Sequence, residues 1–295
     1  MANLKEVRSR IASIKSTRQI TSAMKMVSAS KLRKGQNAMT SLIPYEKQLR
    51  LILNNVFNGS DKENKNNLCI PGQGKDVLVI VIASNKGLCG TFNSHLLKKT
   101  VIHLRELREK GDNVKIWLVG KKAEDFFKKT DYEIDTCFHE VIDNVTSEKA
   151  FELGHRAMEA FKNGTFRQVN IIYNHFFNAA RYDFTSEQLL PVVIEDFTDE
   201  SAQSSDDEDV KYIIEPSRKE IMDQLVPKVL QTYLYRILLD SYISEQGARM
   251  AAMHKATDNA TELLKNLTIT YNKVRQSSIT NEIVEIVGGA EALNG

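Results

Sequence analysis

Apolar residues recur at helical spacing over both ends of the chain, while the middle alternates short apolar runs with amphipathic segments. From Asn3 to Phe57, Leu4, Val7, Ile11 and Ile14 keep a 3-4-3 spacing, and Ile20, Met24, Val27, Leu32 and Met39 continue a drifting apolar stripe. One long helix is predicted there. Gly35 inside it costs about 1 kcal/mol relative to Ala, and Pro44 predicts a kink or a split, because proline removes a hydrogen bond and crowds the preceding turn. Asn58 to Gly74 is polar and glycine-containing, which predicts a loop or linker.

The middle predicts strands at Asp76–Ala83, Val114–Val119 and Gln168–Tyr173, with helices at Asn93–Lys110, Lys121–Lys129 and Ser147–Lys162. This alternation implies βαβ units around a mainly parallel sheet. Phe184–Ile194 and Lys211–Ile214 read as late strands flanking an acidic loop, and an antiparallel edge is expected there. Ser217 with Glu220 three residues on forms a capping-box signature. Pro227 predicts a kink or restart, after which the helical pattern runs from Leu230 through Leu263, Leu267, Tyr271 and Val274 to Ile286 without another proline. A 60-residue helix is about 90 Å long, more than a domain of this size can bury.

Isolated amphipathic helices are marginal in water, so the two ends are expected to pair, and a domain returning the chain between them makes the pair antiparallel. The fold class is therefore α/β with long terminal helices: an antiparallel coiled coil plus a Rossmann-like domain with a mainly parallel sheet. The expected division is a helix over 1–58, a linker over 59–75, an α/β domain over 76–215 and a second helix over 216–295. The seam is unusual. Continuing the first heptads lands on Arg18, Thr21, Lys25 and Ser28, and Gln246–Ala252 is rich in small residues, which allow close helix approach. Met and basic residues on the outer surface point to a further partner.

At 295 residues with 42% hydrophobic and 26% charged, the composition is that of a folded protein. Net charge is only +2, but Asn3–Phe57 holds eleven Lys and Arg against Glu6 and Glu46, a balance of +9. Glu195–Asp209 holds eight acidic residues and no basic one. Such asymmetry favours an acidic partner for the N-terminal helix. Cys69, Cys89 and Cys137 show no CxxC spacing and support neither a disulfide framework nor a zinc site. The longest apolar run, Val77–Ala83, is far short of the roughly 20 residues of a membrane helix. No apolar signal-peptide core is evident, and direct membrane insertion is not expected.

Candidate chemistry is sparse. Ser84–Asn93 (SNKGLCGTFN) follows a strand and precedes a helix, where α/β domains hold phosphates, yet it lacks both GxGxxG and GK[ST] and reads as a structural turn. The six histidines show no ligand spacing, so no metal is expected, and no base accompanies Cys89 as a nucleophile. The N-terminal charge stripe is compatible with nucleic acid, but Asn3–Gln36 contains no aromatic for base stacking. Catalytic, cofactor-binding and metal-ligating residues are all expected to be absent.

Four segments, RIASIKSTRQITSAMKMVSASKLRKGQ, SNKGLCGTFNSHLLK, SEQGARMAAMHKATDNA and NKVRQSSITNEIVEIVGGAEAL, occur in the order found in the gamma subunits of rotary ATP synthases, and the chain resembles that family end to end. The resemblance implies a non-catalytic rotor whose terminal helices turn inside a ring of three alpha and three beta subunits. Its α/β domain would join the epsilon subunit and the membrane c-ring. It further implies that Met24 and Lys25, with Arg8, Arg10 and Arg33, meet an acidic segment of the beta subunit, that Arg275, Gln276, Thr280 and Glu282 contact a beta-subunit loop, and that Ile286–Leu293 is the bearing end. Gly35 and Gly247 depart from helix-favouring residues and mark either flexibility or close packing. The acidic stretch lies near the redox insert of photosynthetic relatives but contains no cysteine, so thiol regulation is not expected. Met1 leads almost directly into the helix, so the resemblance implies a bacterial enzyme at the cytoplasmic face of the inner membrane. The competing readings are an α/β nucleotide-binding protein with coiled-coil arms and a basic DNA or RNA binder.

Overall fold

The computed structural model describes residues 4–58, 66–179, 181–193 and 215–294. They form α1 (Leu4–Asn58), a 3-10 turn (Asn67–Cys69), β1 (Asp76–Ile82), α2 (Phe92–Glu109), β2 (Asn113–Val119), α3 (Lys121–Phe127), β3 (Glu133–Phe138), α4 (Glu140–Asp143), α5 (Ser147–Lys162), β4 (Phe166–Asn178), β5 (Arg181–Leu190) and α6 (Arg218–Asn294). The chain forms two compact units, residues 29–248 and residues 1–28 with 249–295. Ile194, the acidic stretch Glu195–Asp209 and the expected strand Lys211–Ile214 lie outside the described residues.

Within residues 29–248 the strand order is β3-β2-β1-β4-β5, parallel except for the antiparallel β4–β5 pair. The mixed sheet with an antiparallel edge is thus present. β1 is buried along nearly its whole length because alternate side chains feed two cores. Leu78, Ile80 and Ile82 pack in a cluster with Leu49, Leu53 and Val56 of α1, Leu153 and Ala157 of α5, and Val226, Leu230 and Leu234 of α6. Val77, Val79 and Val81 meet Leu96, Leu97 and Leu104 of α2 and Phe127 of α3 on the other face. A parallel sheet covered on both sides needs this continuous apolar run rather than alternation.

In four places the structure corrects or completes the expectations. Neither proline ends its helix: α1 runs 55 residues through Pro44 and α6 runs 77 through Pro227. Burial of Leu42, Glu46 and Leu49 around the first and of Met222, Val226 and Leu230 around the second offsets the lost hydrogen bond. The linker is partly docked, since Asn66 accepts from Leu68 N–H at 2.9 Å, donates to Asp223 at 2.7 Å, and delivers a fully buried Leu68 to the core. β3 and α4 were not expected: the EIDTCF run of β3 is short, breaks alternation at Asp135–Thr136 and is only half-buried. The covered face of α1 does not follow the drifting apolar stripe. Its covered positions keep a strict 3-4 alternation from Leu4 and Val7 through Arg18, Thr21, Lys25 and Ser28 to Leu53 and Val56, so Ile20 and Val27 face outward.

The terminal helices run antiparallel within each unit. In one, the Thr257 hydroxyl donates to the Thr21 hydroxyl at 2.9 Å and the Lys25 ammonium donates to His254 Nδ1 at 3.3 Å. In the other, Arg236 of α6 pairs with Glu46 of α1 at 3.2 Å, and a Cβ on Gly35 would lie 2.8 Å from the Ile243 side chain. Gly35 therefore marks close packing. Gly247 does likewise, for its Cβ would stand 3.2 Å from the Phe176 ring and 3.3 Å from Ala179 Cα. At the start of α6, Ser217 accepts from Glu220 N–H at 3.3 Å, while Glu220 returns its carboxylate to the Ser217 hydroxyl at 3.2 Å.

Candidate partner-contact surface

The loop after β1 is built for rigidity. Asn93 accepts from Ser84 N–H at 3.1 Å and donates to Cys89 Sγ at 3.2 Å, while the Ser84 hydroxyl bonds within the loop to Lys86 O at 2.7 Å. Leu88 and Gly90 both take positive φ to complete the turn. Cys89 and Phe92 are buried in a cluster with Ala248 of α6, and Tyr182 of β5 packs against it. Asn174 of β4 donates to Phe92 O at 3.2 Å. In open α/β sheets a ligand enters at the carboxyl ends of the strands where the order reverses, here between β1 and β4. That crevice is filled by the chain's own side chains, which counts against the nucleotide reading. Among the described residues no group of three or more His, Cys, Asp and Glu is placed to hold a metal, and no helix is long and apolar enough to cross a membrane.

In the unit of residues 1–28 and 249–295, the expected contact residues form two patches. Lys25 is half-buried at the seam, beside a half-buried Met24, and its ammonium can only donate to His254 Nδ1. Asp258 Oδ2 lies 3.4 Å from the same ring nitrogen. Arg8 is exposed, while Arg10, also exposed, is tied to Glu6 one turn back at 2.8 Å. An open groove of about 410 Å³ lies between α1 and α6, lined by Arg18, Gln19, Ser22, Met26, Thr257 and Thr261. Arg275, Gln276, Thr280 and Glu282 are all exposed on α6, with Thr280 bonded back to Gln276 O at 2.9 Å. Twenty-one residues of helix separate Arg275 from His254, about 30 Å at 1.5 Å per residue. The two patches are therefore distinct sites on one rod. Arg33 belongs to the other unit, where it is exposed.

Sequence reading put Ile20 and Val27 on the apolar stripe and so missed that part of the surface, although it expected a bearing end at Ile286–Leu293. Ile20, Met26 and Val27 are 57%, 65% and 57% exposed, and the heptad count continued strictly from Leu4 would have placed them outside the seam. On α6 the covered positions continue through Leu264, Leu267, Tyr271 and Val274 to Ser278, after which every side chain through Ala290 is exposed. Ile279, Ile283, Val284, Ile286 and Val287 lie in that stretch, 46% to 70% exposed. An unpartnered apolar run of this kind marks a contact surface rather than a solvated face.

Two terminal helices paired antiparallel, joined through a five-stranded mixed sheet and exposing apolar and basic residues along the pair, define the architecture of an ATP synthase central stalk. The central stalk and c-ring structure of the Tetrahymena thermophila mitochondrial ATP synthase contains a chain that aligns with a TM-score of 0.59 and 25% identity over 80% of this chain and 99% of that one. The rotor of the Euglena gracilis mitochondrial enzyme shares the fold, with a TM-score of 0.62 and 21% identity over 94% and 98%. A family model described as ATP synthase matches residues 3–293, and the ATP synthase gamma chains of Christiangramia forsetii and Flavobacterium johnsoniae are each 46% identical over the full length of both chains. The chain belongs to the ATP synthase gamma chain family.

Proposed function

We propose that this chain is the central rotor of a rotary ATP synthase, a subunit with no catalytic site of its own that couples ion flow through a membrane ring to ATP synthesis or hydrolysis. Residues 1–58 and 216–295 act as the shaft inside three alpha and three beta subunits. Residues 76–215 act as the foot, joined to the epsilon subunit and the c-ring at the cytoplasmic face of a bacterial inner membrane. The observation that carries this reading is α6 beyond Ser278, an apolar helix that outlasts its seam and needs a sleeve from other chains. Lys25, Arg8 and Arg10 on one unit, and Arg33 on the other, each suit an acidic lever on a beta subunit, and Arg275, Gln276, Thr280 and Glu282 suit a second contact along the ring.

Affinity purification of the tagged chain is expected to recover a hexameric ATPase in stoichiometric amount. Recovery of the chain alone, with nucleotide bound, would favour the α/β nucleotide-binding reading instead. A second expectation concerns Ala252, half-buried on α6 among small residues. Ala252→Trp adds an indole to a close-packed segment, where overpacking costs about 1 to 3 kcal/mol. The yield of assembled complex should fall several-fold on native gels, and wild-type yield would show that the segment has room.

A further inference from the structure

In the unit of residues 29–248 a polar seam ties both terminal helices to the β4–β5 ribbon. Glu46 of α1, 6% exposed, accepts from Arg50 at 2.5 Å and faces Arg236 of α6 at 3.2 Å, a charge contact off the hydrogen-bonding direction. Both guanidiniums lie over the Tyr233 ring, at 5.3 and 4.9 Å from its centroid. The Tyr233 hydroxyl donates to Glu187 of β5, and the Tyr173 hydroxyl of β4 donates to the same carboxylate at 3.0 Å. Burial and the Glu187 charge hold both phenols well above their ordinary pKa, so they remain donors. Two carboxylates and two guanidiniums balance.

Seven residues further along α6, Asp240 accepts from Phe176 N–H at 2.9 Å and pairs with His175 at 2.5 Å. Seven residues beyond that, Gly247 lets Phe176 and Ala179 approach the helix backbone. Tyr233, Asp240 and Gly247 thus form a heptad-spaced line that follows the ribbon from Glu187 toward its hairpin end. Close-packed apolar side chains already oppose rotation of a helix about its own axis. Hydrogen bonds weaken steeply with angle, so a line of them adds to that resistance. Replacing buried ion pairs by apolar residues is often neutral or stabilising, so stability alone does not account for the polar seam.

We propose that the line Tyr233, Asp240 and Gly247, with Glu46, Arg50, Arg236, Glu187, Tyr173 and His175, is a torque-bearing joint that stops the terminal helices from twisting against the sheet. It rests on the rotor reading above. Tyr233→Phe with Asp240→Leu nearly preserves shape and removes the Tyr233–Glu187 bond and the bonds of Asp240 to Phe176 and His175. The assembled enzyme carrying both changes is expected to hydrolyse ATP at the wild-type rate, while the torsional stiffness of the rotor in single-molecule recordings falls at least twofold and ions pumped per ATP fall when the pump works against a gradient. Wild-type stiffness and pumping would overturn the joint. Failure of even the wild-type chain to assemble with an ATPase would instead overturn the rotor reading. Should the double variant not assemble, Ala179→Cys with Gly247→Cys gives an independent test. Oxidation to an Ala179-to-Gly247 cross-link is expected to leave coupled turnover unchanged, because a joint does not open during rotation. Turnover that stops on oxidation and returns on reduction would overturn the proposal.

Discussion

Gly120→Ala is expected to destabilise the chain by about 3 to 5 kcal/mol, the sum of backbone strain and an irreparable clash. Gly120 ends β2 at φ +100, and a Cβ there would lie 2.3 Å from Ala83 O and 2.8 Å from Ala83 C. Both atoms belong to the backbone at the end of β1. They cannot yield separately, since Ala83 N–H bonds Val119 O at 2.8 Å and Gly120 N–H bonds Phe138 O at 2.9 Å. Three neighbouring strands would have to shift together. Gly164 is the control, for it too has positive φ, at +74, but nothing lies within 4 Å of its Cβ position. Gly164→Ala should cost only about 1 to 2 kcal/mol of backbone strain. Urea midpoints of the two variants measure the difference, and equal shifts would show that the β2–α3 turn relaxes freely.

Lys25→Glu combined with Arg33→Glu is expected to cut ion pumping per ATP about tenfold while changing the melting temperature little. Both positions carry charge that folding does not require: Arg33 is exposed, and Lys25 is half-exposed with one bond, to His254. Surface changes of this kind usually stay within about 0.5 kcal/mol. Against an acidic partner the reversal turns attraction into repulsion at two places, and a combined 1.4 kcal/mol suffices for a factor of ten. Pumping by inverted membrane vesicles, read beside their ATPase rate, is the measurement. Normal coupling would remove Lys25 and Arg33 from the contact surface.

Legibility varied with the kind of force involved. β1 and α5 could be read almost to the residue, because a doubly buried strand and a one-sided helix each impose a single periodicity. The heptad seam of α1 was legible only in part. Arg18, Thr21, Lys25 and Ser28 occupy core positions there while Ile20 and Val27 do not, so hydrophobicity pointed away from geometry over that segment. Polarity at the seam and apolarity outside it is an inversion made sensible by an outer partner. Among the candidate contact residues, the alignment of motifs singled out Met24, Lys25 and Arg275 where spacing alone could not. The polar joint left a trace too, in Arg236 and Asp240 interrupting the apolar run YLYRILLDSY, but their partners come from α1, β4 and β5, which only the folded chain brings together.

The place where α6 loses its partner at Ser278 has a use beyond contact. Helical order in the following stretch has no tertiary support from the described residues, and an isolated segment of that length is marginal in water. Amide protons of Ile279–Ala290 should exchange rapidly in the free chain and slowly in the enclosed one. Their exchange rate is thus a gauge of how many copies in a preparation, or a cell extract, have been taken up into complete enzymes.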